Sequence, residues 1–169
     1  MSETAPLPQR AFFWLSQLVV AVYGRVPVFG PVRSSIALIR HGDRWLTVVR
    51  ADRRGNCFPG GVAVPWESNE ECLRREVEEE TGLRITDFQY LFEYFDKKFI
   101  PGSICVYQAE AEGEARGSWE GDIEWIPLDR LAACIFPSQH VILGYLAACD
   151  GVSGSRMDLP ALPPRFRGA

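Results

Sequence analysis

Apolar and polar positions alternate between two periods along this chain, and the switches between them mark its elements. Residues 34–40, SSIALIR, have a continuous apolar centre and predict a strand. Residues 44–50, RWLTVVR, predict its hairpin partner across His41-Gly42-Asp43. The stretch 51–61, ADRRGNCFPGG, is dense in breakers and reads as a loop. From 68 to 81 the period becomes helical, with Leu73 and Val77 one turn apart on the apolar side. Ser68 and Glu71 have capping-box spacing at its start, and Gly82 stands where such a helix stops.

The second half repeats the strand signal. Residues 84–95, RITDFQYLFEYF, are rich in β-branched and aromatic residues and predict a strand. A turn follows at KKFIPG, then a strand at 103–111. A Gly- and Glu-rich loop over 112–121 leads to a short strand at 122–127. A helix is expected near Leu128 and another from Ser138 to Cys149. Strands, helix, strands and helices in that order imply one mixed sheet with helices on its faces, an α/β (α+β) class. Before it, residues 10–23, RAFFWLSQLVVAVY, predict an extra N-terminal helix stopped at Gly24. The expected organisation is therefore a tail and helix over 1–33, one domain over 34–149, and a Pro- and Gly-rich tail over 150–169.

Charge narrows the function. The net charge is -4, so the chain lacks the basic footprint of a nucleic-acid binder. No apolar run reaches the length of a membrane span. Residues 11–23 have some features of a secretory signal, but Glu3 and the lack of an A-x-A site count against one. The five cysteines, Cys57, Cys72, Cys105, Cys134 and Cys149, form no C-x-x-C. They read as reduced, buried thiols of a cytoplasmic protein. Phe12, Phe13 and Trp14 on the first helix offer a homodimer surface.

Against this background one stretch stands out. Glu76, Glu79 and Glu80 are spaced i, i+3, i+4, so on a helix they share a face and repel one another. A compensating positive charge is required, and a divalent cation with hard oxygen ligands is the natural candidate. The run also sits in a fixed frame: Gly61, Glu67, Arg75, Glu76, Val77, Glu79, Glu80, Gly82 and Leu83.

That frame resembles the Nudix box, G-x5-E-x7-R-E-U-x-E-E-x-G-U with U a bulky aliphatic, and every fixed position is filled. The resemblance covers about residues 34–149 and implies an α/β/α sandwich. It implies hydrolysis of a nucleoside diphosphate linked to another moiety, with Mg2+ or Mn2+ as cofactor. By that resemblance Glu76, Glu79 and Glu80 are the main metal ligands, with Glu67 and the Gly61 carbonyl as further ones. Arg75 is expected to hold one of the glutamates by a charge-assisted hydrogen bond. Cys72 is expected to border the same site.

The general base is either Glu76 or an acid in 112–124, where WEGDIEW offers Glu120, Asp122 and Glu124; Glu120 is favoured by likeness to MutT-like members. For substrate, Arg50, Arg53 and Arg54 can meet phosphates. Phe58, Tyr94, Phe95, Phe99 and Tyr107 can stack a base, and Trp66 can wall a pocket. The chain departs from the family where Pro65-Trp66 precedes Glu67 in place of the usual glycine. The proline that marks ADP-ribose hydrolases is also missing: Phe99 stands in its place and Pro101 lies two residues on. The alternative function is a non-catalytic nucleotide-binding or sensor module on the same fold.

Overall fold

Long apolar strands in the middle of the chain need cover on both faces, and the chain supplies it with one helix on one side and two on the other. The structure, a computed structural model, describes residues 32–97, 102–119 and 121–149. The strands are β1 (Val32–His41), β2 (Arg44–Arg50), β3 (Asn56–Cys57), β4 (Gly60–Val62), β5 (Arg84–Asp96), β6 (Gly102–Glu112) and β7 (Gly121–Pro127). The helices are α1 (Asn69–Thr81), α2 (Leu128–Cys134) and α3 (His140–Ala148), with a 3-10 turn at Pro137–Gln139. The N-terminal helix expected over 10–23, the tail from 150 and most of the KKFIPG turn lie outside the described residues.

The sheet is mixed. β1 runs parallel to β6 from Val32↔Gly102 to Ile39↔Ala109, and β5 is antiparallel to β6. β2 and β7 pair antiparallel along their full length, Arg44↔Pro127 to Arg50↔Gly121. Two expectations need correcting. β1 and β2 pair as a hairpin only beside the turn, at Arg40↔Trp45 and His41↔Arg44, because β1 gives its edges to β4 and β6 and β2 turns away to β7. The loop 51–61 also contains β3 and the start of β4. These strands are too short to show a period, and Pro59 and two glycines break the pattern around them.

Two cores lie on opposite sides of the sheet. One packs Leu73 and Val77 of α1 against Ala37, Ile39, Leu46, Tyr107 and Ala109. The other packs Leu131, Ile142 and Leu146 of α2 and α3 against Leu38, Phe58, Phe92 and Val106. Leu73 and Val77 are fully buried, and each contributes about 1.5–3 kcal/mol by leaving water. That burial fixes which face of α1 meets the sheet. The glutamates sit at other positions of the same helix, so the same packing also sets where they lie.

α1 begins and ends where its sequence says. Ser68 Oγ accepts the Glu71 N–H at 3.1 Å, and the Glu71 carboxylate accepts the Ser68 N–H at 2.8 Å. Gly82 closes the helix at φ 68°, and its N–H donates to the Glu78 carbonyl.

Candidate active site

β4 is the floor of the site, and its Gly60 is a position that demands glycine. Gly60 has φ 147°, and a Cβ there would collide with the Ser35 carbonyl of β1. At Gly61 a Cβ would collide with the carboxylate of Glu76. The missing side chain therefore lets a carboxylate of α1 rest on the backbone of β4. Beside it, Glu80 Oε2 accepts the Gly60 N–H at 2.9 Å. Cys72, one turn before Glu76, donates its thiol to the Gly61 carbonyl at 3.5 Å.

Arg75 binds this acidic face together. Its Nε and Nη2 donate to the two oxygens of Glu67 at 2.8 and 2.9 Å, a forked pair. Nη1 donates to Glu76 at 2.8 Å and to Glu79 at 3.2 Å, and Nη2 also reaches the Val62 carbonyl. The expectation gave Arg75 one glutamate; it holds three. The Arg75 bonds, and a further one from the Val64 N–H, keep the Glu67 carboxyl below its ordinary value. Glu67 first, and Glu76 after it, hold the Arg75 guanidinium protonated more firmly than usual. The side chains of Glu67 and Glu76 are 9 % and 14 % exposed, whereas Glu79 is 62 % exposed and faces solvent.

The donor set suits a hard divalent cation: carboxylate oxygens and one backbone carbonyl. Among the described residues no three Asp, Glu, His or Cys side chains converge as a ready ligand cage. Arg75 instead gathers Glu67, Glu76 and Glu79 in ion pairs. A carboxylate has about four acceptor positions, so a bond to Arg75 does not exhaust Glu76 or Glu79.

Residues that the sequence reading did not single out hold the frame. Arg33 of β1 donates to the Glu67 carbonyl at 2.7 Å and so ties down the loop before α1. Ser35 Oγ, fully buried, donates to the Asn69 carbonyl at 2.7 Å. Each has a weak signal, a polar residue inside or beside an apolar strand.

The other predicted residues separate. Phe58 is 1 % exposed and belongs to the core under α2 and α3, with its N–H on Gln139 Oε1 at 2.7 Å. A ring enclosed this way has no face for a base, which corrects its assignment to substrate. Tyr94 and Tyr107 are buried too, while Phe95 is exposed and Phe99 lies outside the described residues. Trp66 is 85 % exposed, next in sequence to Glu67. Arg50 forms a forked pair with Asp52 and lies over the ring of Phe136, with Arg54 near the same ring.

Of the three acids in WEGDIEW, Glu120 lies outside the described residues. Glu124 accepts the Asn56 amide at 3.0 Å, and its backbone carbonyl accepts the Thr47 hydroxyl. Thr47 points away from its neighbour Leu46, which packs under α1, so this group sits on the opposite face of the sheet. Asp122 alternates in phase with Glu124 and shares that face.

Cys72, Cys105 and Cys149 are buried, but Cys57 and Cys134 are half-exposed, so burial does not extend to all five. Burial pushes the Cys72 thiol up to about 12 and those of Cys57 and Cys105 up to about 11. None of these three is a nucleophile at neutral pH.

The NUDIX domain family model matches residues 30–143. YtkD of Bacillus subtilis strain 168, a candidate 8-oxo-dGTP diphosphatase, is 46% identical over 57 residues, 34% of this chain and 35% of that protein. NudC of Chromobacterium violaceum, an NAD-capped RNA hydrolase, is 30% identical over 97 residues, 54% of this chain and 36% of that protein. The aligned stretches thus span about a third of these curated relatives' lengths, 35% and 36%. Among solved structures, a candidate nudix hydrolase from Chromobacterium violaceum superposes with a TM-score of 0.62 at 25% identity. That match covers 76% of this chain and 83% of the other.

Proposed function

The chain belongs to the NUDIX family, and from that premise we propose that it is a metal-dependent pyrophosphohydrolase. Its substrate is a nucleoside diphosphate linked to another moiety, cut at the diphosphate. One observation carries this reading most: α1 delivers the carboxylates of Glu76 and Glu80 onto the Gly60-Gly61 backbone of β4.

Glu76, Glu79 and Glu80 hold a divalent cation, Mg2+ or Mn2+, with Glu67 and the Gly61 carbonyl beside them. Such a cation, when bound, neutralises diphosphate charge and lowers the pKa of its water. Arg75 positions Glu67, Glu76 and Glu79 and limits their mutual repulsion. Glu76 or Glu120 takes the proton from the attacking water. Asp122 and Glu124 are less suited, since they share the sheet face opposite α1. Arg50 and Arg54 meet the phosphates, and Trp66 offers its exposed indole to the base. The exposed position of Trp66 next to Glu67 supports that last role.

The test is phosphate or pyrophosphate release across a panel with Mg2+ or Mn2+. The panel contains nucleoside triphosphates including 8-oxo-dGTP, nucleoside diphosphate sugars, ADP-ribose and dinucleoside polyphosphates. The likeness to YtkD puts the triphosphates first. Glu79→Gln and Glu80→Gln are expected to lose at least the roughly 10- to 100-fold that follows from disturbing a metal site's supporting residues. Undiminished turnover in both overturns the site. Tight nucleotide binding with no turnover under either metal supports a binding module instead.

A further inference from the structure

Arg50 stands at the end of β2, where Leu46, Val48 and Arg50 share one face of the strand. Leu46 packs under α1, so Arg50 emerges on the α1 side of the sheet. There it neighbours Cys57, whose thiol is raised by burial, lowered less by the Arg50 charge and raised again by the Glu80 charge. Cys57 pairs with Val48 across β2 and β3, so its side chain shares the face of Arg50. Cys57 is also only three residues before Gly60, the glycine that holds Glu80.

The head group of Arg50 is already fixed. Its guanidinium lies 4.5 Å from the centre of the Phe136 ring, and that of Arg54 is 5.8 Å from the same ring. Its Nε and Nη2 donate to Asp52 at 3.0 and 2.6 Å, the fork that a phosphate also accepts. Asp52 keeps a second hold on the loop through the Arg54 N–H at 3.1 Å. Burial opposes its charge, yet these bonds hold its carboxyl below the usual value. The pair is not sealed: the side chains of Arg50 and Asp52 are 27 % and 30 % exposed. Around it the loop carries Arg50, Arg53 and Arg54 against the single acid Asp52.

We propose that Asp52 is a built-in stand-in for a substrate phosphate. It keeps Arg50 aimed while no nucleotide is present, and the terminal phosphate of a nucleoside polyphosphate displaces it. Arg50 is then the phosphate-reading residue, and Asp52 is a positioning residue that competes with the ligand and so sets its affinity. This rests on the phosphate-anhydride reading above.

Inorganic tripolyphosphate is the probe, because it has no base and reports on phosphate recognition alone. Its affinity is measured by calorimetry on the full chain and on Asp52→Asn, Arg50→Gln and the double variant. An asparagine keeps the oxygen that accepts the Arg54 N–H, so the loop is retained; Asp52→Ser replaces it if thermal melting shows a loss of fold. Asp52→Asn is expected to bind about 2- to 5-fold tighter, the weight of a partly exposed ion pair. Arg50→Gln binds more weakly, and in its background the gain from Asp52→Asn disappears. The proposal is overturned by no gain in Asp52→Asn, by an equal gain without Arg50, or by no binding to either wild type or Asp52→Asn. Nucleotide hydrolysis by the same preparations separates the two readings. Hydrolysis with a flat binding series removes only the role of Asp52. The expected series without hydrolysis removes the enzymatic reading and leaves the phosphate contact.

Discussion

At the scale of single residues, the acidic face of α1 carries its own counter-charge. Arg75 meets Glu67, Glu76 and Glu79, and Glu67 is the most enclosed of the three. Replacing Arg75 by Gln leaves Glu67 without its forked partner while 91 % of its side chain stays covered, the complement of its 9 % exposure. Among the described residues only the Val64 N–H bond then remains, and losing the two charge-assisted bonds costs about 1–3 kcal/mol. Urea unfolding should show that loss, and Arg75→Lys should restore only part of it because an ammonium cannot fork. An unchanged midpoint in Arg75→Gln would mean that the contact carries no stability. The shared helix of Glu76, Glu79 and Glu80 was legible in the sequence from their spacing, whereas Glu67, in the loop before α1, was legible only from its place in the box frame. Phe58 was misread because its neighbours in the chain do not reveal which face of β3 and β4 is enclosed. Asp52 was overlooked because a local pair within a loop has no period.

At the scale of elements, α1 is specified by its own ends. The box of Ser68 and Glu71 is readable in the sequence, and both of its hydrogen bonds are present. Ser68→Ala should cost about 1 kcal/mol, measured by chemical denaturation. The same box carries a pH signature. Bonds from the Ser68 N–H and then from its hydroxyl hold the Glu71 carboxyl below its ordinary value of 4.5. A lowered folded value contributes stability that is present above 4.5 and lost as pH falls through the folded value. Stability of the wild type should therefore drop more steeply below that pH than stability of Glu71→Gln. Parallel curves would contradict it. The β4 floor was less legible than the helix above it: Gly60 and Gly61 read as loop and act as strand.

At the scale of the whole molecule, the mixed sheet could be inferred from element order, but its pairing could not. The parallel contact of β1 with β6 joins residues about seventy positions apart, such as Val32 and Gly102. Nothing local in the sequence selects that partner over the adjacent β2. Yet this pairing leaves the other edge of β1 for β4, and so places Gly60 and Gly61 beneath Glu80 and Glu76. The fold and the site are thus one construction, with α1 held by Leu73 and Val77 on its apolar side and by Arg75 and β4 on its acidic side. Among the described residues no helix is long and apolar enough to cross a membrane. The most direct test of the account is Mn2+ titration followed by electron paramagnetic resonance, on the wild type and on Glu76→Gln with Glu80→Gln. The account predicts stoichiometric loss of the free-ion signal with wild type and little loss with the double variant, both remaining folded by circular dichroism. Equal Mn2+ binding by the two proteins would contradict it.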